Sequence, residues 1–141
     1  MTIKRFPLRV VLTVSTGRLL TKPTDFGNGI KDVYDILNWM TRDDLYTHQI
    51  PRAMGECRPW LLRWFPELSK VDALDMECLD RMRKETGDVD GCEAWLVDVA
   101  RNRDLATHYA VPRIPQDDHD RIDPYDELVQ MRGTDEGIII V

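Results

Sequence analysis

The chain has 141 residues, 43% of them hydrophobic and 31% charged, with a formal net charge of −6. That length suggests one domain, and the balance of apolar and charged residues excludes collagen-like, low-complexity and wholly disordered classes. No stretch approaches the roughly 18 uncharged apolar residues of a spanning helix, and Arg9 and Arg18 interrupt the first apolar run, unlike a secretory signal.

Residues 7–20, PLRVVLTVSTGRLL, fit two periods. Val10, Leu12 and Val14 alternate as in a strand, whereas Leu8, Val11, Leu12, Ser15 and Leu19 share one side of a helix. Pro7 as a first helical residue and Gly17 as a stop favour the helix. Residues 21–29, TKPTDFGNG, read as a loop. Ile30, Val33, Tyr34, Leu37 and Met40 then mark a helix over 30–41, with Asp32 and Asp35 near its positive end.

Thr47 is a candidate N-cap for a segment whose apolar stripe is Ile50, Ala53, Met54 and Cys57. Pro59 predicts a second short helix, PWLLRWF, stopped by Pro66. Ser69 to Asp72 has the spacing of a capping box, and Val71, Leu74, Cys78 and Met82 predict a helix over about 70–85. Gly87 and Asp88 close it; Asp90 caps the next helix, with Cys92, Trp95, Leu96 and Val99 on its apolar face. Tyr109, Val111 and Ile114 alternate, but Pro112 and Pro115 confine any strand there to an edge. Asp117 to Asp120 reads as an exposed acidic run, and Asp123-Pro124 with Gly133 bounds a short helix around Leu128. The final Gly-Ile-Ile-Ile-Val predicts a covered terminal strand, because four free apolar side chains cost roughly 25 cal/mol per Å² in water.

The pattern predicts a mainly α fold of about five helices with a small β element near the C-terminus; an α+β class is the near alternative. Residues 1–115 form one compact, mostly helical domain. Residues 116–141 form an acidic extension ending in a short apolar strand, and this tail carries the whole excess of negative charge. An acidic chain is a poor general binder of nucleic acid, although residues 1–66 have more basic than acidic side chains.

Few residues carry the signature of a reaction. Cys57, Cys78 and Cys92 are odd in number, lack CxxC spacing and sit among apolar neighbours, which predicts buried free thiols and a reducing cytoplasm. His48 and Cys57 fall on different sides of one helix, which argues against a thiol nucleophile with its base. An acid–base site from His48 with Asp43 or Asp44 needs the fold to bring them together in a cleft. His48, His108 and His119 form no metal-binding motif, so neither a metal nor another cofactor is expected. Ser15-Thr16-Gly17-Arg18 has too few glycines for a P-loop, and a helix C-terminus accounts for it.

Residue types suited to gripping are concentrated instead. His48, Gln49 and Arg52 are followed by Arg58, Trp60, Arg63, Trp64 and Phe65, in which cations and aromatics interleave as at binding hot spots or single-strand sites. The alternative is a core with both tryptophans inward and the arginines outside. Arg18 would join the cations, and Asp117, Asp118, Asp120 and Asp123 offer complementarity to a basic partner.

The strings Thr16-Gly-Arg-Leu-Leu20, Val33-Tyr-Asp-Ile-Leu-Asn-Trp-Met-Thr41, Thr47-His-Gln-Ile-Pro-Arg-Ala53 and Cys57-x-Pro-Trp-Leu-Leu62 resemble those of an uncharacterised group of small proteins of tailed bacteriophages and prophages, over residues 8–68. The resemblance brings no reaction with it. It implies a small cytoplasmic accessory protein in a bacterial host that works by binding, not catalysis, and inhibits or redirects a host or defence protein, CRISPR-type nucleoprotein complexes included. Direct nucleic-acid binding through Arg18, Arg52, Arg58 and Arg63, with Trp60 or Trp64 stacking on bases, is the alternative. No membrane partner is expected.

Overall fold

The computed structural model describes residues 2–20 and 30–132. Among these, strand β1 (Ile3–Pro7) leads into α1 (Leu8–Thr16), followed by α2 (Ile30–Thr41), α3 (Ile50–Trp64), α4 (Ala73–Thr86), α5 (Asp88–Asn102), β2 (His108–Pro112) and α6 (Pro124–Arg132). Short 3-10 turns occupy Thr47–Gln49, Pro66–Lys70 and Gln116–Asp118. The fold is mainly α with a small β element, as the sequence predicts. No helix among the described residues is long and apolar enough to cross a membrane. The expected loop over 21–29 and the terminal Ile-Ile-Ile-Val strand lie outside the described residues.

Helix α1 explains its own ambiguity. Leu8, Val10, Val11, Leu12, Thr13 and Val14 are all buried, so the helix is wrapped on nearly every side and carries no single apolar stripe. It ends where Gly17 takes a left-handed φ of 76° and returns its N–H to the Thr13 carbonyl. A side chain at Gly17 would also strike the Arg58 guanidinium.

Pro59 does not divide the next segment. Helix α3 runs through it, because Ile50, Ala53, Cys57 and Leu61 form one continuous buried row. Burying each large apolar side chain contributes about 1.5–3 kcal/mol, enough to offset the roughly 3 kcal/mol cost of an interior proline. Pro51 lies in the first turn, where it is tolerated.

Two further expectations shift. Asp72, not Ser69, caps α4, in a reciprocal pair with Asp75. The apolar stripe rotates with it: Leu74 is 71% exposed, and Leu79 is the buried residue, flanked by half-buried Met76 and Met82. Helix α5 starts at Asp88, which puts Asp90 inside the first turn instead of at the cap. Gly91 lies where α5 meets α4: a Cβ there would sit 2.5 Å from the Met82 carbonyl oxygen and 2.7 Å from the Arg83 backbone.

β1 and β2 pair antiparallel from Ile3 opposite Pro112 to Pro7 opposite His108. Prolines at the ends and edge positions throughout fit a two-stranded ribbon. Phe6, Tyr109 and Val111 turn inward onto the helices. The ribbon is tied to α2, whose Trp39 indole donates to the Val111 carbonyl at 2.9 Å and whose Met40 carbonyl accepts from the Ile114 N–H at 3.0 Å.

Candidate functional site

The segment after β2 folds back across the start of α3 and is held there by polar contacts. Pro115 leads into the 3-10 turn, and Asp123 accepts hydrogen bonds from the Tyr125 and Asp126 N–H groups, starting α6. His119, expected in a solvated run, is the exception within it: its side chain is only 4% exposed. Its Nδ1 lies 2.6 Å from Glu56 on α3 and its Nε2 lies 2.8 Å from Asp43 on the loop after α2. Each ring nitrogen thus has its own carboxylate partner, and an ionised carboxylate can only accept.

Glu56 continues the chain of contacts. Its second oxygen accepts from the Asp120 N–H at 3.0 Å and from Arg52 at 2.7 Å. Arg52 grips buried Glu127 of α6 through Nε at 3.1 Å and Nη2 at 2.7 Å, and donates to the Asp120 carbonyl at 2.7 Å. Gln49, 1% exposed, donates to Glu127 and to the Ile122 carbonyl and accepts from the Tyr46 N–H. His48 meets the Pro124 carbonyl at 2.7 Å. The Thr47–Arg52 stretch therefore receives the chain's own C-terminal segment.

The electrostatics follow these contacts. The Arg52 guanidinium, aided by the Gln49 amide, outweighs burial and holds the Glu127 carboxyl below its usual value. Burial works against ionised Asp43, yet the hydrogen bonds from His119 and the Asp44 N–H, with Arg121 nearby, hold it below the ordinary aspartate value. Burial pushes the Cys57 thiol up to about 12, so it is not a thiolate near neutrality. Cys92 is also buried, while Cys78 is half-buried and faces the Met82 sulfur.

The imagined acid–base pair of His48 with Asp43 or Asp44 is not joined: His48 turns to Pro124, and Asp43 turns to His119. No group of three His, Cys, Asp or Glu side chains among the described residues is arranged to hold a metal ion. In the densest cluster, the two His119 nitrogens are spent on separate carboxylates.

A second feature lies at the other end of α3. Trp60 and Trp64, one turn apart, have ring centroids 5.5 Å from each other, with the Arg63 guanidinium 5.1 Å from the Trp60 ring. Both tryptophans are half-buried, so the two readings of this stretch meet: each packs against the core and keeps part of its surface open. They line a hollow of about 490 Å³ together with Arg42, Pro112, Arg113 and Pro115.

The other expected site residues are dispersed. Arg18 pairs with Asp80 on α4, and Arg58 donates to the Val14 carbonyl. Asp117, Asp118 and Asp120 are exposed, and their carboxylates make no hydrogen bond or ion pair with another described residue. Sequence reasoning missed Glu56, His119 and Glu127: apart from the Arg52–Glu56 contact within α3, the side-chain contacts that join them span more than sixty residues. It also missed Arg42 and Arg113, which join the tryptophans only through the ribbon.

Residues 6–71 match the model of a domain of unknown function, DUF7736, which accounts for just under half of the chain. No curated protein and no solved structure matches it.

Proposed function

We propose that this chain is a non-enzymatic accessory protein of the phage type its sequence resembles. It acts in the bacterial cytoplasm by binding a host or defence protein with a basic surface and modulating or inhibiting it. One observation carries the reading. The groups the sequence offers for acid–base or thiol chemistry do not converge: Cys57 is buried, His119 is held between Glu56 and Asp43, and His48 turns to the Pro124 carbonyl. The exposed carboxylates of Asp117, Asp118 and Asp120, by contrast, meet no partner among the described residues, beside a backbone that Glu56 and Arg52 hold at Asp120. Fixed, unpaired charges at a surface steer association and select partners of opposite sign.

The test is affinity purification of the tagged protein from infected host cells, followed by a binding titration of the recovered partner across a salt series. Asp117→Asn and Asp118→Asn together should weaken binding and flatten its salt dependence, while leaving the melting temperature within about 2 °C because neither side chain is engaged by another described residue. Unchanged affinity and salt slope in the double variant would overturn the reading. Asp123 is unsuitable for this purpose, since its carboxylate caps α6.

A further inference from the structure

The hollow at the end of α3 differs in charge from the exposed carboxylates of Asp117, Asp118 and Asp120. A buried indole usually finds an acceptor for its N–H. Trp39 and Trp95 do so, at the Val111 and Asp75 carbonyls. Trp60 and Trp64 donate to none of the described residues, although both rings pack against the core. Among the described residues neither indole nitrogen is a buried unpaired atom, so both reach solvent, and both side chains line the hollow.

The charge of the hollow is uniform. Arg42 and Arg113 line it, Arg63 stands beside Trp60, and no carboxylate is among its lining residues. The arginines are also positioned. Arg113 lies 4.0 Å over the Trp39 ring, and Arg42 donates one nitrogen to the Ile114 carbonyl at 2.7 Å, leaving other N–H groups of the fork for a ligand. Two tilted aromatic faces with flanking guanidinium groups form a stacking platform inside a cationic rim, the combination that seats an unpaired base while gripping the phosphates on either side.

We infer that the Trp60–Trp64 hollow binds single-stranded nucleic acid, with a base against the indoles and phosphates on Arg113, Arg42 and Arg63. This goes beyond the protein-binding role proposed above and uses other residues. A duplex does not fit, since a paired base keeps its faces within the stack. An acidic peptide would satisfy the arginines but leave the aromatic platform without a planar partner, and it serves as the competing occupant in the test.

The experiment uses the full chain and a labelled oligothymidylate of about twelve nucleotides, read by anisotropy and by quenching of tryptophan emission, at about 50 and about 200 mM salt. Binding at micromolar protein in low salt with emission quenched is expected, weakening at the higher salt. Arg63→Gln and Arg113→Gln should each weaken it severalfold and lower the salt slope by about 0.7. Trp60→Leu should weaken it about tenfold, corresponding to about 1.4 kcal/mol within the stacking range. Arg63→Gln keeps the test decisive should Trp60→Leu unfold, because Arg63 is exposed. Absence of binding at low salt, equal binding of the matched duplex, displacement by a polyglutamate peptide as effective as by unlabelled strand, or arginine variants that behave as wild type would each overturn the inference. The Asp117→Asn, Asp118→Asn double variant should not weaken strand binding, which separates this site from the acidic surface.

Discussion

Replacing Arg52 with Met tests what holds the C-terminal segment in place. The substitution keeps much of the aliphatic stem but removes the two hydrogen bonds to Glu127 and one each to Glu56 and the Asp120 carbonyl. Glu127, 6% exposed, then keeps only the Gln49 amide as a side-chain hydrogen-bond partner among the described residues. Breaking a buried ion pair from one side costs about 3–5 kcal/mol. Arg52 is 23% exposed, so water reaches part of the pair and the lower end applies, about 3 kcal/mol. A second limit acts on how that cost appears. The segment lies at one edge and can lift off, which rehydrates Glu127, so the loss shows first as local opening of 116–132 before global unfolding. At 1.4 kcal/mol per factor of ten, the α6 amides should exchange with solvent roughly 100-fold faster. Amides of α1 and α2 should keep their protection. Adding Glu127→Gln should recover part of the loss, because the stranded charge is gone. Exchange in α6 that stays at the wild-type rate, or that rises equally in α1 and α2, would refute the reasoning.

Two further outcomes follow from the same geometry. Gly91→Ala should lower the melting temperature, since its Cβ would meet α4 backbone that has no side-chain freedom to give; overpacking of about 1–3 kcal/mol outweighs the propensity gain of up to about 1 kcal/mol. Gly55→Ala, with nothing within 4 Å of its Cβ, should instead hold or raise it, and calorimetry on the pair separates packing from propensity. Acid should release the C-terminal segment: folded-state values of Asp43 and Glu127 lie below their ordinary ones, so their stabilisation is complete above the unfolded values and vanishes as pH falls through the folded ones. Limited proteolysis after residue 115 should therefore accelerate below about pH 4, and a cleavage rate flat from neutrality to pH 3 would contradict it.

What the sequence discloses divides along the range of the interactions. Helix α2 is legible because Val33, Leu37 and Met40 lie on one buried face at helical spacing. Strand β2 is legible because Tyr109 and Val111 alternate with exposed neighbours. Strand β1 is not: of its residues only Phe6 is buried, and its extended form depends on pairing with a segment about a hundred residues later. Pro59 misleads because propensity is local, whereas the row from Ile50 to Leu61 is stabilised by what packs against it. The stripe on α4 misleads for another reason: Leu74 and Leu79 offer alternative faces, and only the approach of α5 at Gly91 selects the second. For the same reason the cation–aromatic stretch could not be apportioned in advance. Arg52 and Arg63 look alike in sequence, yet one faces Glu127 and the other a tryptophan ring.

The span of the family match sharpens this point. Asp43, His48, Gln49, Arg52 and Glu56 lie inside residues 6–71, but His119, the carbonyls of Asp120, Ile122 and Pro124, and Glu127 lie outside it. The matched stretch thus presents a row of donors and acceptors that it does not satisfy by itself, and in this chain a later segment supplies the complement. Buried polar groups left unpaired cost about 1–3 kcal/mol each, so the row and its complement constrain one another even though they are far apart in sequence. Trp60 and Trp64 lie within the matched stretch too, while Pro112, Arg113 and Pro115 complete their hollow from outside. At both ends of α3, then, one wall of the feature belongs to the matched stretch and the facing wall to the part of the chain that follows it. Any chain carrying the first wall alone must find the second elsewhere: in a different C-terminal segment, in solvent, or in a partner.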